Sequence, residues 1–186
     1  MKNDKTRVRR LPKRGHYDKE TIYRILDDNY LCYVAFQHDK YPVIIPTAYG
    51  RMRDIVYLHG SSASRMQKDL SEGIDCCLCV SKISALVLAK SGFHHSMNYE
   101  SVVLFGKGTQ VEDKDEKIEA LKVISDNILL GRWEESRQPS DIELKATSII
   151  KVPIVEASAK IRTGPPSDDP IDDKLNIWSG LLPFET

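Results

Sequence analysis

Tyr30-Leu31-Cys32-Tyr33-Val34-Ala35-Phe36, Val43-Ile44-Ile45-Pro46-Thr47-Ala48-Tyr49 and Ile55-Val56-Tyr57-Leu58-His59 are three short runs rich in Val, Ile and Tyr. His38-Asp39-Lys40 and Gly50-Arg51-Met52-Arg53-Asp54 separate them. Branched and aromatic side chains suit a pleated, half-buried surface, so the segment reads as hairpin-linked antiparallel strands. Strands resume downstream at Asp75 to Val80, Ala85 to Lys90, and Tyr99 to Val111, where Tyr99, Ser101, Val103 and Phe105 share a face, and again at Ser148 to Ile161. Helical spacing is confined to short pieces. Asp18 caps a helix from Lys19 to Asp28, Ser61 or Ser62 opens one that stops near Gly73, Asp113 to Leu130 is amphipathic, and Asp141 to Thr147 is a short fourth. No regular strand-helix alternation supplies parallel crossovers, so the expected fold is a mainly β antiparallel barrel with short surface helices.

The length of 186 residues suits one core, with 18–161 as the domain, 1–17 as a basic arm and 162–186 as an irregular tail rich in Pro and Asp. That tail carries Trp178, Leu181, Leu182 and Phe184, apolar residues that need a covering surface. No apolar run reaches the roughly 20 residues that span a bilayer, and the N-terminus has no secretory core, so a cytoplasmic protein without membrane partners is expected. Lys and Arg total 27 against 27 Asp and Glu, which gives no global field for nucleic acid. Seven basic residues do crowd positions 2 to 14; a solvated arm, or one packed on a partner subunit, is preferred to a nucleic-acid arm. Four cysteines, Cys32, Cys76, Cys77 and Cys79, lack the second ligand pair of a zinc site and read as core, with no metal expected.

The most informative stretch for chemistry is His59-Gly60-Ser61-Ser62-Ala63-Ser64-Arg65-Met66-Gln67-Lys68. A strand ends at a glycine, then three serines and an arginine lead into a helix, with Lys68 one turn beyond Arg65. Unpaired N–H groups there, completed by hydroxyls and an arginine fork, suit a phosphate. The plainer alternative is a serine-capped helix with solvated cations. Ile45-Pro46-Thr47-Ala48-Tyr49 and Asn98-Tyr99-Glu100-Ser101 are candidate walls for a planar heterocycle, because proline in a strand removes a ladder donor. His94-His95 point to opposite faces of an extended segment and do not suit one metal. Hydrolase elbow, Walker and dinucleotide fingerprints are absent from the sequence.

Six blocks in one order carry a resemblance: Arg9 to Asp18, Pro46 to Tyr49, Leu58 to Arg65, His94 to Tyr99, Ser158 to Pro166, and Trp178 to Pro183. Together they resemble the pyridoxamine 5'-phosphate oxidase-like flavin-nucleotide-binding proteins, nearly end to end. The resemblance implies a six-stranded FMN-binding split barrel, a homodimer with two flavins at the subunit interface, and kinship with nitroimidazole-reducing resistance proteins. It places Ile45, Pro46, Thr47 and Tyr49 along the isoalloxazine ring, and His59 and Gly60 near the ribityl chain. Ser61, Ser64, Arg65 and Lys68 fall at the phosphate. Tyr99 and Ser101 approach from the same or the partner subunit, and Arg162 and Trp178 reach in from the tail. Glu100 replaces an arginine common in the family, and the arginines that hold pyridoxal phosphate have no clear counterpart, which argues against vitamin B6 oxidation.

The expectation is therefore an FMN-dependent oxidoreductase that passes electrons from a nicotinamide nucleotide to a small acceptor, with no catalytic acid or base assigned to the protein. A module that binds FMN or heme without turnover is the rival.

Overall fold

A computed structural model describes residues 1–184. Its frame is one antiparallel sheet system built from β1 (Gly15–His16), β2 (Leu31–His38), β3 (Tyr41–Met52), β4 (Ile55–Ser61), β5 (Asp75–Leu88), β6 (Ser96–Lys107), β7 (Thr109–Gln110), β8 (Thr147–Pro153), β9 (Glu156–Arg162) and β10 (Gly180–Pro183). The spatial order is β1-β9-β6-β5-β2-β3-β4-β8-β7, with β10 beside β5. The sheet does not close on itself, as a split barrel requires. Ten strands stand where six were expected, the additions being mostly pieces of two to four residues.

Alternation builds the core. Along β2, Cys32, Val34 and Phe36 point inward while Leu31 and Tyr33 point out. The inward residues join Val56, Leu58, Leu78, Val80, Val102, Leu104 and Ile150 in the main cluster. Burying each such side chain contributes about 1.5–3 kcal/mol. Helix α1 (Lys19–Asp27), capped by the Asp18 carboxylate accepting from Thr21 N at 2.8 Å, adds Ile22, Ile25 and Leu26 to the same cluster. Helix α3 (Lys114–Ile128) lays Ala120 and Ile124 on Tyr57 and Ile149 as a second, smaller core.

Strand β3 belongs to two ladders. Tyr41 to Ala48 pair with β2, whereas Tyr49 to Met52 pair with β4, so the chain changes ladder between Ala48 and Tyr49. Tyr49 anchors that passage: its side chain is wholly buried and its hydroxyl donates to Leu26 O at 2.5 Å. The buried phenol is pushed far above its ordinary value by desolvation.

Three strand boundaries differ from the sequence reading. Asp75 to Val80 and Ala85 to Lys90 are one strand, β5, irregular between Ile83 and Ala85. Ser148 to Ile161 is two strands that turn at Ile154-Val155, where Ile154 N donates to Asp54 O and not to a ladder partner. Tyr99 to Val111 breaks at Gly108, where a Cβ would meet Ile150 Cγ2 at 2.7 Å and Leu70 O at 2.8 Å. Helix α2 (Arg65–Ser71) begins later than expected, because Ser61 to Ser64 form a turn closed by Ser64 N donating to Ser61 O. Helices α4 (Arg132–Glu135) and α5 (Asp141–Ala146) complete the surface.

The basic arm folds onto its own sheet. Lys5 Nζ lies 2.9 Å from Glu156 Oε2, Thr6 is buried, and β1 pairs with β9. Beyond β9 the tail runs irregularly to β10, which pairs with Leu88 to Ala85. Glu185 and Thr186, included in the expected tail, lie outside the described residues.

Candidate functional site

Strand β4 delivers His59, Gly60 and Ser61 to the edge of the sheet, opposite Ile149, Ser148 and Thr147 of β8. Gly60 lets Gln67 pack closely on the strand, since a Cβ there would stand 2.9 Å from Gln67 Nε2 and displace that side chain. The turn that follows leaves polar groups available. Ser64 is the N-cap of α2, yet its hydroxyl makes no capping bond, while Ser61 Oγ accepts from Ala63 N at 3.2 Å. Arg65 and Lys68 are exposed, and among the described residues neither side chain has a carboxylate partner. Asp69, the acid beside them on the helix, is taken by His38 Nδ1 at 2.6 Å. Helix α2 spans only seven residues, so side chains and turn amides dominate over its dipole. His59 Nδ1 is buried without a hydrogen-bond partner, and burial lowers the imidazole pKa, favouring the neutral ring.

Ile45, Pro46 and Thr47 lie on the neighbouring strand, opposite Val34, Tyr33 and Cys32 of β2. Pro46 is exposed and offers no N–H. Tyr49 departs from the reading that sets it along a ring. Its side chain is committed to the core and to Leu26, which leaves only backbone for a ligand at that position.

Tyr99, Ser101, Arg162 and Trp178 form a second group. Tyr99 is opposite Arg162, and Ser101 Oγ donates to Lys160 O at 3.3 Å. Arg162 is 9% exposed and turns into its own chain, donating to Asn98 Oδ1 and toward the carbonyls of Gly164 and Pro165. Among the described residues no carboxylate pairs with it; burial, with nearby Arg14, lowers its pKa. Trp178 is exposed, and its ring covers Gly180, where a Cβ would meet it at 2.7 Å. Strands β3, β2 and β5 lie between β4 and β6 in the sheet order, while the curl of the sheet brings Val56 and Leu58 of β4 and Val102 and Leu104 of β6 into one core cluster. Between them, on the outward face, is an open groove of about 440 Å³ walled by Asp28, Asn29, Tyr30, Leu31, Tyr33, Ser81 and Lys82.

Glu100 faces away from both groups and grips Arg24 of α1 through two bonds, at 2.9 and 2.7 Å. Cys32 and Cys76 are buried, and burial pushes their thiols up to about 12 and about 11, so both stay protonated. His94 and His95 do diverge, toward Asp169 Oδ2 and Ala89 O respectively. Sequence reading missed Gln67, Ser148 and Lys145, which line a polar pocket beside α2. A polar residue on a short helix gives no warning that its amide is buried.

The sequence model described as pyridoxamine 5'-phosphate oxidase matches residues 18–161. The chain belongs to that family. No curated protein matches it. Among solved structures it is similar to the flavocytochrome Anf3 from Azotobacter vinelandii, with 38% identity over 99% of this chain and 86% of that one, at a TM-score of 0.91. It is similar also to the FAD and heme binding protein from Mycobacterium smegmatis, with 31% identity over 93% and 85% and a TM-score of 0.87. A candidate 5-nitroimidazole antibiotic resistance protein from Bacteroides thetaiotaomicron shares the fold at 23% identity, 92% and 90% coverage and a TM-score of 0.66. The family match begins at Asp18, the cap of α1, and ends at Ile161 in β9, so it includes β2 to β4 and α2 with the whole first group of residues.

Proposed function

We propose that this member of the pyridoxamine 5'-phosphate oxidase family binds a flavin nucleotide, FMN in its simplest form, and uses it as an oxidoreductase between a nicotinamide nucleotide and a small acceptor. One observation carries the reading. Arg65 and Lys68, cations that meet no carboxylate among the described residues, stand beside a serine hydroxyl that makes no capping bond and a buried imidazole nitrogen without a partner there, in a chain similar to two proteins named for flavin or FAD.

A flavin supplies hydride acceptance and one-electron transfer when bound. Ser61, Ser64, Arg65 and Lys68 would hold its phosphate by charge-assisted bonds, and His59 Nδ1 and the Gly60 backbone would meet the ribityl chain. Ile45, Pro46 and Thr47 would form the wall for the ring. The groove beside Tyr30, Leu31 and Tyr33 has a volume suited to a small organic acceptor.

The second group of residues completes the site from a second copy of the chain. Tyr99 and Ser101 share the outward face of β6, and Trp178 stands exposed just before β10, positions from which they can meet a ligand seated on a neighbouring copy. The outward face of the sheet is apolar enough for a self-association surface: Leu31, Tyr33, Ile44 and Ile83 are all more than 40% exposed. Two-fold pairing would bring one chain's β6 and tail to the other's β4.

Heme is a second reading, favoured because both of the more similar relatives are described as a flavocytochrome or as heme-binding. The absorption spectrum of the purified protein tests both. Flavin bands, with or without an added heme Soret band, are the expected result; a colourless protein that takes up neither FMN nor FAD overturns the proposal. Steady-state oxidation of a nicotinamide nucleotide then separates an enzyme from a carrier.

A further inference from the structure

Beside α2, on the side turned toward β8, a pocket of about 110 Å³ is lined by Ser62, Gln67, Lys68, Ser71, Gln110, Lys117, Lys145, Thr147 and Ser148. Gln67 is 1% exposed, and both its Nε2 and its Oε1 lack hydrogen-bond partners. Ser148 is 6% exposed, and its Oγ is likewise unsatisfied. Buried polar atoms are normally satisfied, so three orphans around one cavity point to something that enters it.

The charge of the wall identifies the chemistry. Three lysines and no carboxylate line the pocket. Lys117 Nζ donates to Leu144 O at 2.6 Å, while among the described residues Lys68 and Lys145 meet no acid. The depression on the far side of Lys117 and Lys145 does carry Glu112 and Asp141, but Asp141 is already bridged to Lys114 at 2.9 Å. Water alone would satisfy the amide and the hydroxyl, and the volume holds about three or four molecules. Lys68 and Lys145 stand exposed at the pocket's rim, where their charge favours an anion over a neutral occupant.

We propose that this pocket is an oxyanion site for a phosphoryl group, separate from the seat at Ser64 and Arg65 but adjoining it through Ser62 and Lys68. Gln67 Nε2 and Ser148 Oγ donate to the anion's oxygens, Lys145 and Lys68 supply charge, and Gln67 Oε1 accepts from an ammonium. Thr147 pairs with Ser61 in the β4–β8 ladder, and Ser62 N donates to Ala146 O, so the pocket wall and the serine turn are one hydrogen-bonded unit. The phosphoryl group has two possible sources: free inorganic phosphate, or the second phosphate of a flavin dinucleotide whose first rests on Arg65. The dinucleotide source rests on the flavin reading; the free-ion source does not.

The test uses the full chain as purified. Inorganic phosphate is titrated calorimetrically against chloride at matched ionic strength, and FAD and FMN affinities are measured in parallel. For a free ion, a saturable phosphate site is expected that persists in Arg65→Ala and is weakened about tenfold or more when Lys145→Ala or Ser148→Ala is added to that variant. For a dinucleotide, the same two variants lower affinity for FAD by about tenfold and leave FMN unchanged. A wild-type protein with no phosphate binding above chloride, and with the FAD to FMN ratio unmoved by either variant, overturns the proposal. So does phosphate binding that both variants leave intact. A chain that binds phosphate at Lys145 but takes no flavin keeps this site and removes the flavin reading alone.

Discussion

Arg24 and Arg65 carry the same guanidinium into opposite surroundings. Arg24 is gripped by Glu100 and Asp28, and because these groups are partly exposed the arrangement contributes no more than about 1 kcal/mol per pair. Among the described residues Arg65 meets no acid, so its charge is available to a ligand. Arg65→Ala is expected to weaken flavin binding by about 1.5–3 kcal/mol, the value of a hydrogen bond to a charged group, as read by flavin fluorescence titration. Arg24→Ala should leave that affinity unchanged. His59 gives a pH signature. Its folded pKa lies below its ordinary 6.5 because burial disfavours the cation, so the unfolded chain binds the extra proton first. Stability from this group is complete above about pH 6.5 and is lost progressively as pH falls below it. Denaturant melts at about pH 8 and about pH 5 should show the loss, and His59→Gln should flatten it. The departure at Glu100 is explained only in three dimensions, since its partner lies 76 residues away in the chain.

At the scale of elements, α3 and β3 approach so closely that a Cβ on Gly50 would lie 2.7 Å from the Val123 carbonyl carbon. Backbone cannot yield as a side chain can, so Gly50→Ala should destabilise the fold by about 1–3 kcal/mol in chemical denaturation, with α3 loosened first in hydrogen exchange. Helix α1 was legible because Asp18 marks its start and α3 because its apolar residues recur at helical spacing; the structure adds the caps Asp113 and Ser140, each accepting from the backbone three residues on. Strand ends were less so. The division of Ser148 to Ile161 depends on Ile154 N meeting Asp54, a contact from another hairpin, and the break at Gly108 depends on Leu70 and Ile150 crowding it. Tyr49 looked like a ligand contact within Pro46-Thr47-Ala48-Tyr49; the change of ladder after Ala48 turns it inward, and no local pattern announces that turn.

For the whole molecule, the antiparallel class followed from strand runs without regular strand-helix alternation, and the observed order of strands agrees with it. Which residues of the candidate site belong together did not follow, because separation across a sheet is invisible in a list of motifs. If the outward face pairs two copies, Ile44→Asp should give a folded monomer in sedimentation velocity that retains its circular dichroism and loses flavin. Ile44 is 66% exposed in the single chain, so the substitution spares the core.

If a second copy completes the site, its division between the Arg65 group and the Trp178 group has a genetic counterpart. Two chains, one disabled only at Arg65 and the other only at Trp178, would each be inert alone. Co-expressed in equal amounts they would form hybrids in which one of the two interfacial sites inherits both sound halves, restoring about a quarter of the normal complement. Inactivity that persists in such a mixture would place both groups in the same chain's site.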